Sequence, residues 1–219
     1  MALKFRRIGN PGSIGVVGLA LLSAAQSPAF ADEWMAPSNQ AVFAPGQELF
    51  VRLIPGRPAS TDPVTVPATQ SRARAEYYAQ DSGDRSYRLV ADVELANPVL
   101  PAYAKLTDDG HLVTFDDWGS VGRGSVIAFY RPDGTLIRDV DITELYGPRD
   151  LAAMPMSTSM TLWRCGVQHS VGDDGPLILV FGNAGSAFEL DPRRGTVTRR
   201  PSGTRCDSFA SLQVFGQPN

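Results

Sequence analysis

Two Asp-Asp-Gly triplets, 65 positions apart by subtraction of 108 from 173, constrain the fold of this chain more than any other feature. The first, Asp108-Asp109-Gly110, precedes a strand-like run from Leu112 to Asp117. Aspartate bonds its own backbone and glycine accepts a positive φ, so the triplet is turn chemistry. Leu112, Thr114 and Asp116 alternate with Val113, Phe115 and Asp117, the period of a strand with two different faces. A loop with Gly119, Gly122 and Gly124 follows, then the β-branched and aromatic run Val126 to Tyr130. Pro132-Asp133-Gly134 turns the chain into Thr135-Leu136-Ile137. Apolar runs on both sides of such a turn predict a hairpin.

The second triplet, Asp173-Asp174-Gly175, leads into Pro176 to Phe181, and residues 188–197 again read strand, Asp/Pro/Gly turn, strand. Units of this kind resemble the blades of β-propeller repeat proteins. Two units are too few for a closed ring of four to eight blades. The order also resembles a group of uncharacterised exported bacterial proteins. The segments that carry this likeness are Thr114 to Gly122, Tyr130 to Ile137, Thr143 to Met154 and Ser157 to Arg164, within about Tyr103 to Arg199. It implies a fold and brings no activity with it.

Elsewhere, Glu48 to Ile54 reads as a strand ended by Pro55-Gly56, and 57–71 as a Pro/Ser/Thr-rich loop. Good helix formers in Arg72 to Gln80 predict a short helix. Tyr87 to Leu95 predicts a half-buried strand with Tyr87, Leu89, Ala91, Val93 and Leu95 on one face. Tyr103 to Leu106 pairs ahead of the first triplet. Asp141 to Pro155 predicts connector helices, capped at Thr143 and Asp150, and Thr158 to Cys165 a strand.

The first 31 residues have the form of an export signal: basic Lys4, Arg6 and Arg7, an apolar stretch from Ile14 to Leu22, and a small-x-small site at Ala29-Phe30-Ala31. The apolar stretch is shorter than the ~20 residues a membrane span takes. The expected mature chain, 32–219, is a single exported domain, periplasmic or extracellular, that spans no membrane. Removing the leader's three basic residues from 20 leaves 17 against 23 acidic ones, so the net charge goes from −3 to −6. That balance argues against a nucleic-acid partner. Cys165 and Cys206, an even pair in an exported chain, read as a disulfide. The other reading, ligation of a metal with His169, needs more ligands than these.

Asp116-Asp117-Trp118-Gly119 is the sharpest candidate site. An indole stacks on a sugar ring while carboxylates take its hydroxyls, and the same carboxylates suit Ca²⁺. The structural reading makes Trp118 a plug at the edge of the core and the aspartates turn residues. Arg123, between Gly122 and Gly124, offers a guanidinium to an anion, though no phosphate-loop spacing surrounds it. His111 and His169 are the two histidines. His169 sits beside Ser170 and near Asp173, without a GxSxG elbow or HExxH motif. Ser157, Thr158 and Ser159 could face a ligand or be one side of a sheet.

These observations predict a mainly β protein of antiparallel propeller-like or sandwich-like sheets with short connector helices. No catalytic residue, metal site or cofactor is assigned. The leading functional expectation is a non-catalytic envelope binding or interaction module for a protein or glycan. A hydrolase using His169 or the Asp116/Asp117 pair, and a Ca²⁺-stabilised structural module, are the alternatives.

Overall fold

The computed structural model describes residues 35–58, 69–83, 86–203, 206 and 212. The expected signal segment lies outside the described residues. The described residues form three four-stranded antiparallel sheets and a two-stranded one.

The first sheet runs β1 (Gln40–Phe43), β2 (Leu49–Ile54), β5 (Arg74–Gln80) and β6 (Tyr87–Glu94) in spatial order. Between β2 and β5 the chain inserts β3 (Arg57–Pro58) and β4 (Thr69–Ser71), which pair with each other. The expected 57–71 loop thus has paired ends, and residues 59–68 lie outside the described residues. The second sheet is the meander β7 (Pro101–Leu106), β8 (Leu112–Asp117), β9 (Ser125–Tyr130) and β10 (Leu136–Asp141). The third is the meander β11 (Arg164–Gly172), β12 (Gly175–Gly182), β13 (Ser186–Asp191) and β14 (Thr196–Pro201). Mainly β structure in repeated antiparallel units is therefore the observed architecture.

The echo in the sequence marks equivalent places. Each Asp-Asp-Gly triplet lies between the first and second strands of its sheet, and each later Asp/Gly turn between the third and fourth. Gly110, Gly134, Gly175 and Gly195 all have positive φ there, a conformation that costs glycine nothing.

The second sheet lies between the other two. Ala128 and Tyr130 of β9 join Val51, Leu53 and Tyr77 in one core, while Ile127 and Phe129 join Ile178, Val180 and Phe188 in another. Successive strand residues face opposite ways, so one strand feeds both cores. Burial of each such side chain contributes on the order of 1.5–3 kcal/mol. This explains a departure from expectation in β8, where Leu112 through Asp116 are all buried. Its two faces differ in which core they enter, not in solvent exposure.

Arg72 to Gln80, expected as a helix, leads into and contains β5 (Arg74–Gln80). Ala73, Ala75 and Tyr77 are buried at every second residue, and the strand is hydrogen-bonded on both sides by β2 and β6. Tertiary pairing here overrides helix propensity of a few tenths of a kcal/mol per residue. β6 carries a bulge. Tyr77 pairs with Ala91 but Tyr78 with Leu89, leaving Val90 as the extra residue. The bulge splits the face expected from alternation, putting Tyr87 and Leu89 on one side and Ala91 and Val93 on the other.

Two short helices join the second and third sheets: α1 (Ile142–Leu145) and α2 (Pro148–Ala152). Asp141, not Thr143, caps α1, accepting from the Thr143 amide while Glu144 bonds back to Asp141 N–H in a capping box. Gly147 is the N-cap of α2, with Pro148 following at its first turn. The strand expected over Thr158 to Cys165 begins only at Arg164. No helix among the described residues is long and apolar enough to cross a membrane.

Candidate functional site

Asp116 stands near the end of β8 with a left-handed φ of 55°, tolerated by few residues other than Gly, Asn and Asp. That backbone turn directs its carboxylate inward. Oδ1 accepts from the Gly122 amide at 2.8 Å and from Trp163 Nε1 at 2.7 Å. Oδ2 accepts from Arg164 Nε at 3.0 Å and pairs with Nη2 at 2.8 Å. Both side chains are fully buried.

The arginine is also enclosed by π faces. Its guanidinium carbon lies 5.4 Å from the centre of the Phe115 ring, 5.7 Å from Trp163 and 5.8 Å from Tyr103. A desolvated cation gains from such faces. Even the Asp116 carbonyl is used, accepting from Asn97 Nδ2 at 2.8 Å, and Asn97 in turn accepts from Thr114 at 3.1 Å. The network ties β8, the glycine loop and the segment leading into β11 together.

The loop after Asp116 is shaped by this anchor. Gly122 has φ +69°, and a Cβ there would run into the Thr161 carbonyl and the Trp163 ring. Asp117 is half-buried and accepts from the Val99 and Leu100 amides at 3.2 and 3.3 Å. Burial pushes its carboxyl up to about 6 against the pull of those amides. Trp118 is partly buried against the core between the first two sheets and donates from Nε1 to the Met35 carbonyl at 3.0 Å. Arg123 is exposed and donates from Nη2 to the Ser157 carbonyl at 3.0 Å. Ser157 Oγ itself accepts from the Met160 amide at 3.1 Å, so the Ser157–Ser159 segment forms a turn here and not a sheet face.

Of the four residues singled out from sequence, Arg123 is exposed, while Asp117 and Trp118 are partly buried, the first on the Val99 and Leu100 amides and the second against the core. Asp116 lies beneath the loop, both carboxylate oxygens occupied by protein donors.

The histidines are arranged differently from the sequence expectation. His169 sits on β11, where burial first and then Lys105 lower its pKa. Ser170, its neighbour along a regularly paired strand, points to the other face. His111 is the one with a carboxylate partner: Nδ1 lies 3.1 Å from Asp109 Oδ1. That oxygen also accepts from Thr107 Oγ1 at 2.5 Å, and Oδ2 accepts from Arg193 Nε at 2.6 Å. Burial opposes the charge of Asp109, but the three donors outweigh it and hold its carboxyl down at about 2. Beside this cluster, a depression of about 300 Å³ is lined by Asp173, Asp174, Asp191, Arg193 and Arg194. Arg194 reaches Asp191 at 2.9 Å and Asp174 at 3.3 Å.

Cys165 and Cys206 form a disulfide with a Cα–Cα distance of 5.4 Å. Cys206 and Leu212 are buried in the core between the second and third sheets. The other residues from 207 to 219, including Phe209 and Phe215, lie outside the described residues. No group of three or more His, Cys, Asp or Glu among the described residues is placed to hold a metal ion.

Sequence reasoning missed Arg164 and Asn97. Their links to Asp116 span 48 and 19 positions, and no local spacing announces them.

No family model matches the chain, and no curated protein matches it. Among solved structures it is similar to HIRA(644-1017), at 13% identity and a TM-score of 0.27, over 79% of this chain and 57% of that one. The chain thus spans little more than half of that structure. The fold assignment rests on the sheet order, not on this likeness.

Proposed function

We propose that the protein is an exported, non-catalytic binding module that presents the loop 117–124 to a protein or glycan of the cell envelope. The observation that carries this is the anchoring of that loop by Asp116. Gly122, Trp163 and Arg164 hold its root inside the core, while the guanidinium of Arg123 is exposed and the indole of Trp118 is partly exposed. A loop fixed before binding loses little entropy on binding. An aromatic ring and an arginine on it suit a sugar face or an acidic peptide.

Export is supported by the disulfide, which persists in oxidising compartments, together with the leader-like first 31 residues. The test is a thermal-shift screen of the purified protein against cell-wall glycans, Ca²⁺ and envelope extracts. A ligand at a hundredfold excess over its Kd raises stability by about 2.7 kcal/mol. The expected shift comes with a glycan or an envelope protein and disappears in Trp118→Ala and Arg123→Ala. A shift with Ca²⁺ alone would instead favour the metal-stabilised reading.

A further inference from the structure

Thioether sulfur is gathered around one loop. Of the five methionines in the chain, four lie among the described residues, and three of these border the 117–124 loop. Trp118 Nε1 donates to the Met35 carbonyl at 3.0 Å. Val121 pairs with Met160 in a parallel bridge, and Arg123 Nη2 donates at 3.0 Å to the carbonyl of Ser157, the residue after Met156. Met35 therefore stands beside the first part of the loop and Met156 beside the last. The fourth, Met154, belongs to the core between the second and third sheets.

Their exposures divide them. Met35 and Met156 are each 62% exposed, Met160 is partly buried against the core, and Met154 is 5% exposed. A single exposed apolar side chain is ordinary, but these two share a reactive atom as well as a location. Both cysteines are already joined in the disulfide, so no thiolate competes with the thioethers for an oxidant.

We infer that Met35 and Met156 are a pair of oxidation sites, which take an oxygen atom from a peroxide at the border of the 117–124 loop while the fold stays intact. The sulfur lone pair attacks one oxygen of hydrogen peroxide. An S–O bond forms as the O–O bond breaks, and the second oxygen leaves as water with both protons. Sulfur is oxidised by two electrons and the peroxide is reduced by two. At an exposed side chain the new S=O group keeps water as its hydrogen-bond partner. At Met154 the same group would enter an apolar core without one, which is costly, so the buried sulfur is protected as long as the chain is folded. At the loop, two flexible apolar side chains become polar and chiral on either side of Trp118 and Arg123. The consequence for recognition rests on the reading that this loop is the binding surface; the oxidation itself does not.

The test treats the purified full chain with graded hydrogen peroxide, followed by peptide mapping in the mass spectrometer and urea unfolding of the same samples. Met35 and Met156 should each gain one oxygen atom before Met160 does, and Met154 none while the chain is folded. The urea midpoint should stay that of the untreated protein. Met35→Leu and Met156→Leu should each delete one site and leave the rate at the other unchanged. In the urea-unfolded chain all four methionines should react alike, because the protection comes from the fold. Oxidation of Met154 or Met160 in the folded chain as fast as Met35 and Met156 overturns the inference. So does a midpoint that falls as these two sites fill, or the same selectivity persisting in urea, which would place it in local sequence. No ligand enters the experiment, so its failure is distinct from a failure of the loop to bind.

Discussion

Arg193 joins the two Asp-Asp-Gly turns. Its Nε donates to Asp109 of the first at 2.6 Å and its Nη1 to the carbonyl of Asp174 in the second at 3.1 Å. Repeats recognised as an echo in sequence are thus in contact through one guanidinium. Both partners are substantially exposed, which limits such a pair to about 1 kcal/mol or less. Arg193→Ala should accordingly lower stability only slightly. It should also relax the depressed pKa of Asp109. Because that pKa is lowered on folding, its contribution is present above about 4 and is lost as pH falls through about 2. Urea unfolding at pH 7 and pH 2.5 should show the natural protein and variant converging at the lower pH. An equal gap at both would contradict the electrostatic account.

Asp117 should behave with the opposite sign. Its folded pKa, about 6, lies above the usual carboxylate value, so the folded state holds the proton more tightly than the unfolded one. The advantage is complete below about 4 and is lost as pH rises through 6. Asp117→Asn keeps a carbonyl oxygen for the Val99 and Leu100 amides. Relative to the natural protein it should gain roughly 1–3 kcal/mol between pH 4 and pH 7. Parallel stability profiles would show that Asp117 ionises freely.

The disulfide closes a separation of 41 residues. Reduction should cost about 2–4 kcal/mol, read as a lower urea midpoint. Mass spectrometry after alkylation without reduction should find neither cysteine modified. Two labelled thiols would remove the bridge from the account.

Gly122→Ala should destabilise by more than the ordinary cost of removing a glycine. It meets positive φ, the Thr161 carbonyl and the Trp163 ring together, and it displaces the amide that Asp116 accepts from. A loss of roughly 2 kcal/mol or more is expected. Gly119→Ala, where a Cβ meets open space, should pay only for its backbone angle. Equal losses would place the cost in φ alone.

The sequence disclosed the second and third sheets better than the first for a physical reason. Turns written in Asp, Pro and Gly are local, so β8 to β10 and β12 to β14 stand out between them. In the first sheet the β3–β4 insertion separates second and third strands, β5 is spelled with helix formers, and a bulge at Val90 breaks the alternation of β6. Its membership becomes visible only once Tyr77 and Tyr78 have strands on both sides. The site divides in the same way. Asp117, Trp118 and Arg123 could be picked out as a loop with recognisable chemistry. The use of Asp116 could not, because the charge that fixes it is Arg164, on the far side of two helices and 48 positions away.

The most direct test of this account is the urea unfolding free energy of Asp116→Asn. Asparagine tolerates the left-handed backbone, so the change isolates the charge. It leaves a fully buried arginine without its anion, a loss of about 3–5 kcal/mol, part of which Arg164→Met in the same chain should restore. An unchanged unfolding free energy, with ligand binding abolished instead, would contradict it and return Asp116 to the surface as a binding residue.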